Sequence, residues 1–240
     1  MILGIYGYQD SGKTTLAEKL VHALVEKGYR VSTVKHSAHG MSVDAEGKDT
    51  WRHWKAGSDP VVFSSDAETT IIRHSKTPIE DIARMLKVDY RPDVILVEGL
   101  KQGKFKKVAL GNVKPTADTV LRNPNLEQLL RYVENEVAVE RIKERIPGLN
   151  CRKCGKNCDE FARAVVAGKR KLGDCVEMPD VIAEISIGGS KLSMGRFASK
   201  VVNETVRGLV GSLHGYEPDK DVDIHLGPAR PVQIGKRIRR

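Results

Sequence analysis

Near the start of the chain, Gly7-Tyr-Gln-Asp-Ser-Gly12-Lys13-Thr14 follows the pattern G-x-x-x-x-G-K-[ST]. Each residue type in it has a task in holding a polyphosphate. The glycines let the backbone turn tightly and aim its N–H groups at phosphate oxygens. Lys13 adds a point charge at the outer phosphates, and Thr14 offers a hydroxyl to Mg²⁺. Ser11 lies inside the loop, as does Asp10, which could orient water or another loop group. A second set of chemically able residues is Cys151, Cys154, Cys158 and Cys175, spaced C-x2-C-x3-C-x16-C. Four thiols so close together are better suited to one shared metal than to disulfides in a reducing compartment. Structural zinc usually gathers two separated C-x2-C pairs, whereas a compact trio with one distant thiol suits a cubane iron-sulfur cluster. Zinc and free redox-sensing thiols remain the alternatives.

The elements that must position these groups can be read from the hydrophobic pattern. Residues 2–6 read as a short buried strand, and Leu16, Leu20, Ala23 and Leu24 recur at helical spacing from Lys13 until Gly28 stops them. The loop therefore sits between a strand and a helix N-terminus, whose positive dipole end adds to an anion site. Residues 30–35 read as a second strand, 49–56 as a helix, and 61–63 and 70–72 as short strands. Pro78, at a first helical position, opens a helix through Lys87. Residues 93–98 form the strongest strand, and its unbroken apolar run implies burial on both faces of a parallel sheet. Strands alternating with helices predict an α/β fold with a mostly parallel sheet.

Glu98 ends that strong strand at the edge where the phosphate loop emerges, so it is the candidate carboxylate for Mg²⁺. Asp93 begins the strand and falls at the far edge, as a turn or capping residue. The polar loop after the second strand emerges beside the phosphates too, and its Asp44 is either an Mg²⁺ or water ligand or an ordinary loop residue. His36 and His39 lack the further ligands a zinc site needs. Trp51 and Trp54, three apart on a helix, read as packing. No N-K-x-D motif is present, so the residues alone do not choose guanine over adenine.

Past residue 120 the pattern is helical over 124–146, with Pro147-Gly148 as the stop. After the cysteines come a strand over 181–187, a hairpin turn at Gly188-Gly189, a helix over 196–213 and a last strand over 221–226.

The formal charge of +9 is unevenly spread. Residues 151–175 carry seven Lys or Arg against three Asp or Glu, and the tail 235–240 carries four and none. A broad basic face for a nucleic-acid backbone is thereby disfavoured; cations beside the cysteines would offset the negative charge of a thiolate-bound cluster. No apolar run reaches the roughly 20 residues of a membrane helix, and the N-terminus lacks signal-peptide features, which together predict a cytoplasmic protein without a membrane partner.

Residues 7–15, Val34-Lys-His36, Asp44-x-x-Gly47-Lys-Asp-Thr-Trp51, Ala56-Gly57 and Ile95-Leu-Val-Glu-Gly-Leu-Lys101 together resemble the molybdopterin-guanine dinucleotide biosynthesis protein B family, MobB. The resemblance covers about the first half of the chain. It implies a commonly dimeric GTP-binding protein with weak intrinsic hydrolysis, acting as accessory to the nucleotidyltransferase MobA and its molybdoenzyme clients. By the same resemblance Gly7, Gly12, Lys13, Thr14 and Thr15 bind phosphates, Glu98 is the Walker B-like carboxylate, and residues 44–50 line the active edge. Lys13, Asp44 and Glu98 are then the candidate catalytic residues.

Cys151-Arg-Lys-Cys-Gly155, Cys158, Phe161-Ala162, Gly168 and Asp174-Cys175 resemble the small 4Fe-4S domain of corrinoid iron-sulfur proteins. This implies a 4Fe-4S cluster on the four thiols. The expected organisation is a P-loop GTP-binding domain at 1–120, a connecting helix at 121–150, an iron-sulfur domain at 151–175 and a small α/β segment with a basic tail at 176–240. Two other functions compete: a redox protein whose nucleotide gates electron transfer at the cluster, and a nucleotide kinase, for which no acceptor site or lid can be pointed to.

Overall fold

The computed structural model describes residues 1–37, 40, 42–179, 183–187 and 190–224. The chain divides into two compact units, Met1–Ile146 with Asn150–Asp174, and Pro147–Leu149 with Cys175–Arg240.

In the first unit β1 (Ile2–Gly7) runs into α1 (Lys13–Glu26), followed by β2 (Val31–Lys35) and α2 (Asp49–Lys55). Next come the hairpin strands β3 (Val61–Ser64) and β4 (Thr69–Ile72), then α3 (Ile79–Asp89) and β5 (Val94–Glu98). The unit continues through β6 (Lys106–Leu110), β7 (Thr119–Arg122), α4 (Leu126–Arg145) and α5 (Cys158–Val166), and ends on a 3₁₀ turn, Leu172–Asp174. Five strands form one sheet in the order β2-β5-β1-β6-β7, and every pairing is parallel. The chain fills the sheet on one side of β1 and then crosses to the other. The loop after β1 therefore opens at the topological switch point, where ligands of open α/β sheets bind.

The expected two-sided burial is seen in β5. Val94 and Leu96 face the main core with Leu20 and Leu24 of α1 and Leu129, Val133 and Val137 of α4, while Ile95 and Val97 pack with Ala83 of α3. Hairpin β3–β4 pairs antiparallel, with Val61 opposite Ile72, and stays apart from the main sheet. Pro78 is the N-cap of α3 and Ile79 its first helical residue, one step later than expected.

The sheet does not stop at residue 120. Strand β7 extends it to Arg122, and α4 packs into the same core, so the segment expected to be a connecting helix belongs to the phosphate-loop layer. Strand β6 is another element that the hydrophobic pattern does not announce, because it opens on Lys106 and Lys107. Lys107 is buried, with Nζ donating to Gly103 O at 2.5 Å and standing 3.4 Å from Asp118 Oδ2. Lys106 reaches Glu136 on α4. The buried Lys107 is tolerable in a central strand only because its tertiary partners compensate its desolvation, while Lys106 keeps part of its side chain in solvent.

In the second unit β8 (Ser186–Ile187) pairs with β9 (Ser190–Lys191), and α6 (Arg196–Val210) follows. The expected turn at Gly188-Gly189 lies outside the described residues, as do His39, the last two residues of the expected last strand and the basic tail; residues 221–224 form no strand. Arg207 of α6 holds the chain that follows it, donating to Pro218 O at 2.8 Å and Lys220 O at 3.3 Å.

Candidate functional site

The phosphate loop is shaped by backbone constraint before any side chain acts. A Cβ at Gly7 would stand 2.5 Å from both Leu110 O and Ser11 Oγ, so only glycine lets β1 turn there against β6. Asp10 and Gly12 both take left-handed backbone, at φ 59° and 80°. Gly12 is the N-cap of α1 and has no side chain to occupy the helix's free N–H groups, and the first turn carries no acidic residue. Those amides and the dipole are thus left available to an anion. Ser11 Oγ donates to Tyr8 O at 2.8 Å, and Lys13 Nζ crosses the loop to Tyr8 O, with Ser11 Oγ at 3.4 Å. Asp10 and Thr15 are exposed at the loop.

Glu98 stands where the strand register demands. It pairs opposite Ile5 of β1 and Lys35 of β2, with its carboxylate at the loop's edge. Thr14 Oγ1 donates to Glu98 Oε1 at 2.7 Å, and Lys35 pairs with the same oxygen. Burial pushes the Glu98 carboxyl up, but hydrogen bonds from Lys35 and Thr14 and the charges of Lys35 and Lys13 outweigh it and hold it below its usual range. An ionised carboxylate beside a helix-terminal threonine hydroxyl is an all-oxygen donor pair of the kind Mg²⁺ binds together with phosphates and water. Lys35, the second partner of Glu98, was legible only as part of a motif. A left-handed Gly99 follows, whose Cβ would lie 2.5 Å from His36 O, so the strand end and the loop after β2 pack backbone to backbone. A cleft of about 490 Å³ opens from Thr14 and Glu98 between α1 and β2, walled by Ala17, Val21, Val25 and Leu96.

Asp44 is placed differently from the other two candidate catalytic residues. Its side chain is 3% exposed; Oδ1 accepts from Thr50 Oγ1 at 2.6 Å and Oδ2 lies 3.2 Å from His74 Nε2. His74 in turn stacks on Trp54, with ring centroids 3.9 Å apart. Among the described residues no hydrogen bond or ion pair joins Asp44 to Lys13, Thr14 or Glu98. His74 carries no sequence signal, since its partner lies thirty residues away.

The cysteine loop lies in the same unit, toward the opposite end of the sheet. In β6, Leu110 pairs with Gly7 at the loop end and Lys106 with Leu3 near the start. Helix α4 descends past Lys106, which meets Glu136, to Arg141, which reaches Asp93 at the beginning of β5 at 2.8 Å. Helix α5 runs back along it: Asp159 is 3.5 Å from Lys143, and Arg163 grips Glu136 through both oxygens, at 2.7 and 3.2 Å. Cys158, the first residue of α5, thus sits beside the far end of α4. The strand steps from Leu110 to Lys106, at about 3.3 Å each, and the helical steps from Glu136 to Lys143, at about 1.5 Å each, put it on the order of 20 Å from the phosphate loop.

Glu136 is 5% exposed. Burial pushes its carboxyl up, and hydrogen bonds from Arg163 and Lys106 more than reverse this, keeping it below its usual range. Nearby Tyr132 is pushed up to about 12 by burial and the Glu136 charge.

No disulfide joins the cysteines: Cys151 is exposed and the other three are half-buried. Cys154 and Gly155 lie in a turn closed by Gly155 N–H donating to Arg152 O at 2.8 Å, and Cys158 is held by Asn150 through two hydrogen bonds. Cys175 belongs to the second unit. Among the described residues no three Cys, His, Asp or Glu side chains are gathered closely enough to hold a metal ion. The donors nevertheless fit a thiophilic group in kind: accessible thiols, tight left-handed turns, and a helix N-terminus at Cys158.

An all-parallel sheet with a phosphate loop at its switch point and a carboxylate on the neighbouring strand defines the P-loop NTPase class. The family model for molybdopterin guanine dinucleotide synthesis protein B, MobB, matches residues 2–135, and a second model, described as "Putative Fe-S cluster", matches residues 146–177. The chain belongs to the MobB family. A protein of Methanocaldococcus jannaschii named "Putative molybdopterin-guanine dinucleotide biosynthesis adapter protein" is 28% identical over 238 residues, 94% of this chain and 97% of its own. The molybdopterin-guanine dinucleotide biosynthesis adapter protein of Haemophilus influenzae is 44% identical over 110 residues, 45% of this chain and 62% of its own. The crystal structure of Bacillus subtilis MobB aligns with a TM-score of 0.41 at 27% identity, covering 47% of this chain and 69% of that one. Among the described residues no helix is long and apolar enough to cross a membrane.

Proposed function

We propose that this chain is a GTP- and Mg²⁺-binding adapter, and a weak GTPase, in the synthesis of molybdopterin guanine dinucleotide. It would act as a homodimer beside a MobA-like nucleotidyltransferase and the molybdoenzymes that receive the cofactor, and it carries an appended 4Fe-4S module. The observation that carries the reading is the 2.7 Å hydrogen bond from Thr14 Oγ1 to Glu98 Oε1, which ties the phosphate loop to the carboxylate. The free amides of Gly12 and the first turn of α1 cradle phosphate oxygens, and Lys13 turns from Tyr8 O to the outer phosphates. Glu98 stays ionised and, with Thr14, orients Mg²⁺. Asp44 keeps the loop after β2 in place through Thr50 and His74.

Cys151, Cys154, Cys158 and Cys175 would hold the cluster. A cluster there supplies one-electron chemistry. The ion pairs from Arg163 through Glu136 to Lys106 tie the helix that starts at Cys158 to strand β6. They favour one second reading, in which nucleotide state gates a redox reaction at the cluster.

Calorimetric titration tests the first reading. Mg²⁺-GTP should bind more tightly than Mg²⁺-ATP, and Lys13→Ala should weaken binding about a hundredfold, ~2.7 kcal/mol, by removing a charge-assisted contact. A wild-type chain that binds neither nucleotide, or a Lys13→Ala chain that binds as wild type, overturns it.

A further inference from the structure

Asn150 stands immediately before Cys151 and holds Cys158 twice. Its backbone N–H donates to Cys158 Sγ at 3.3 Å, and its Oδ1 accepts the backbone N–H of Cys158 at 3.0 Å. Two asparagines thus share the free donors at the start of α5, because Asn157 Oδ1 takes the N–H of Glu160 at 2.8 Å. The N–H of Cys158 is one that a helix cannot satisfy internally, so its partner must come from elsewhere. Asn150 can reach it from a left-handed backbone, φ 48°, a conformation asparagine accepts more readily than most residues. The result is a closed loop: the chain entering Cys151 is fastened to the residue that carries the third thiol.

We infer that Asn150 is a positioning residue of the sulfur site, setting Cys151 beside Cys158 before a metal arrives and donating an N–H to the Cys158 sulfur when that sulfur is a ligand. The inference rests on the reading of the cysteines as metal ligands. Hydrogen bonds to ligand sulfurs withdraw charge from them and raise the reduction potential of a bound cluster. Partners of metal ligands commonly account for tenfold to hundredfold in affinity.

The test compares three full-length chains under anaerobic conditions: wild type, Asn150→Gly, which keeps the left-handed backbone and loses the carbonyl, and Asn150→Asp, which keeps the acceptor. Co²⁺ binding to the metal-free chains is read from the thiolate-to-cobalt charge-transfer absorption. The midpoint potential of the iron-loaded chains is read by redox titration followed with electron paramagnetic resonance. Asn150→Gly should bind Co²⁺ about tenfold or more weakly and, because its backbone N–H is no longer fastened against Cys158 by the lost Oδ1 contact, shift the potential to more negative values; Asn150→Asp should restore the affinity. Equal Co²⁺ affinity in the glycine and wild-type chains overturns the proposal, as does an aspartate chain no better than glycine. If wild type purifies without iron or sulfide, the cluster reading fails while the Co²⁺ comparison still decides whether Asn150 positions the thiols.

Discussion

At the phosphate loop, Lys13, Thr14 and Glu98 are positioned by β1 and β5, two central strands with buried neighbours on both faces. At the cysteine loop, Cys151 and Cys154 stand on a turn outside the sheet, and Cys158 starts a nine-residue helix docked on α4. The first site is assembled by the sheet register. The second depends on a few side-chain hydrogen bonds and on the ion pairs of α5, so its geometry is open to adjustment by what the thiols bind. A rigid site suits a ligand whose shape is constant, such as a polyphosphate. A lightly held one suits a group that is inserted after folding.

The contrast can be broken most severely at Glu136. Glu136→Ala should cost about 2–3 kcal/mol, less than a fully buried pair, because Arg163 and Lys106 can turn toward water. Denaturant unfolding and amide hydrogen exchange would show the loss, with α5 exchanging first. The same docking is sensitive to acid. Because its folded-state carboxyl titrates below the ordinary 4.5, Glu136 contributes stability at pH values above that value and loses it as pH falls through the lower folded one. Protection of α5 should therefore be intact at neutral pH and fall in acid before that of β1 and β5.

A smaller effect sharpens the other side. Glu98→Gln keeps an acceptor for Thr14 and removes the charge, so Mg²⁺-dependent nucleotide affinity should fall about tenfold, ~1.4 kcal/mol, while affinity measured without Mg²⁺ stays nearly unchanged. His74→Ala should cost about 1–2 kcal/mol by leaving the Asp44 carboxylate short of a partner. Because His74 stacks on Trp54, the change should also appear in tryptophan fluorescence. The smallest expected effect, none on nucleotide affinity, is the most telling between the two readings of function. Cys158→Ser should abolish iron incorporation and leave GTP affinity as in wild type; a change in GTP affinity would favour nucleotide gating instead.

Much of the phosphate site was legible because its determinants are local: Gly7, Gly12, Lys13 and Thr14 lie in one turn, and Glu98 ends an apolar run that had to be a central strand. What escaped was what depends on distant partners. Lys106 and Lys107 disguised β6, since the buried Lys107 makes sense only with Gly103 and Asp118 in view and Lys106 only with Glu136. The segment after residue 120 was set apart as a connector, yet the apolar face of α4 completes the core over β1 and β6. Asp44 had the right residue type and loop for a metal ligand, and its engagement with Thr50 and His74 followed from contacts with α2 and with the chain after β4.

By itself, then, the order of residues determined the P-loop class, the parallel α/β architecture and the thiol-rich character of residues 151–175, because glycine turns, apolar periodicity and thiol chemistry are properties of short segments. Tertiary structure decided which carboxylates remain available and which are spent on structure. It also decided that the cysteine helix docks on the phosphate-loop layer and that Asn150 clasps Cys158. Those outcomes depend on desolvation and on hydrogen-bond partners many residues apart, which only the folded chain brings together.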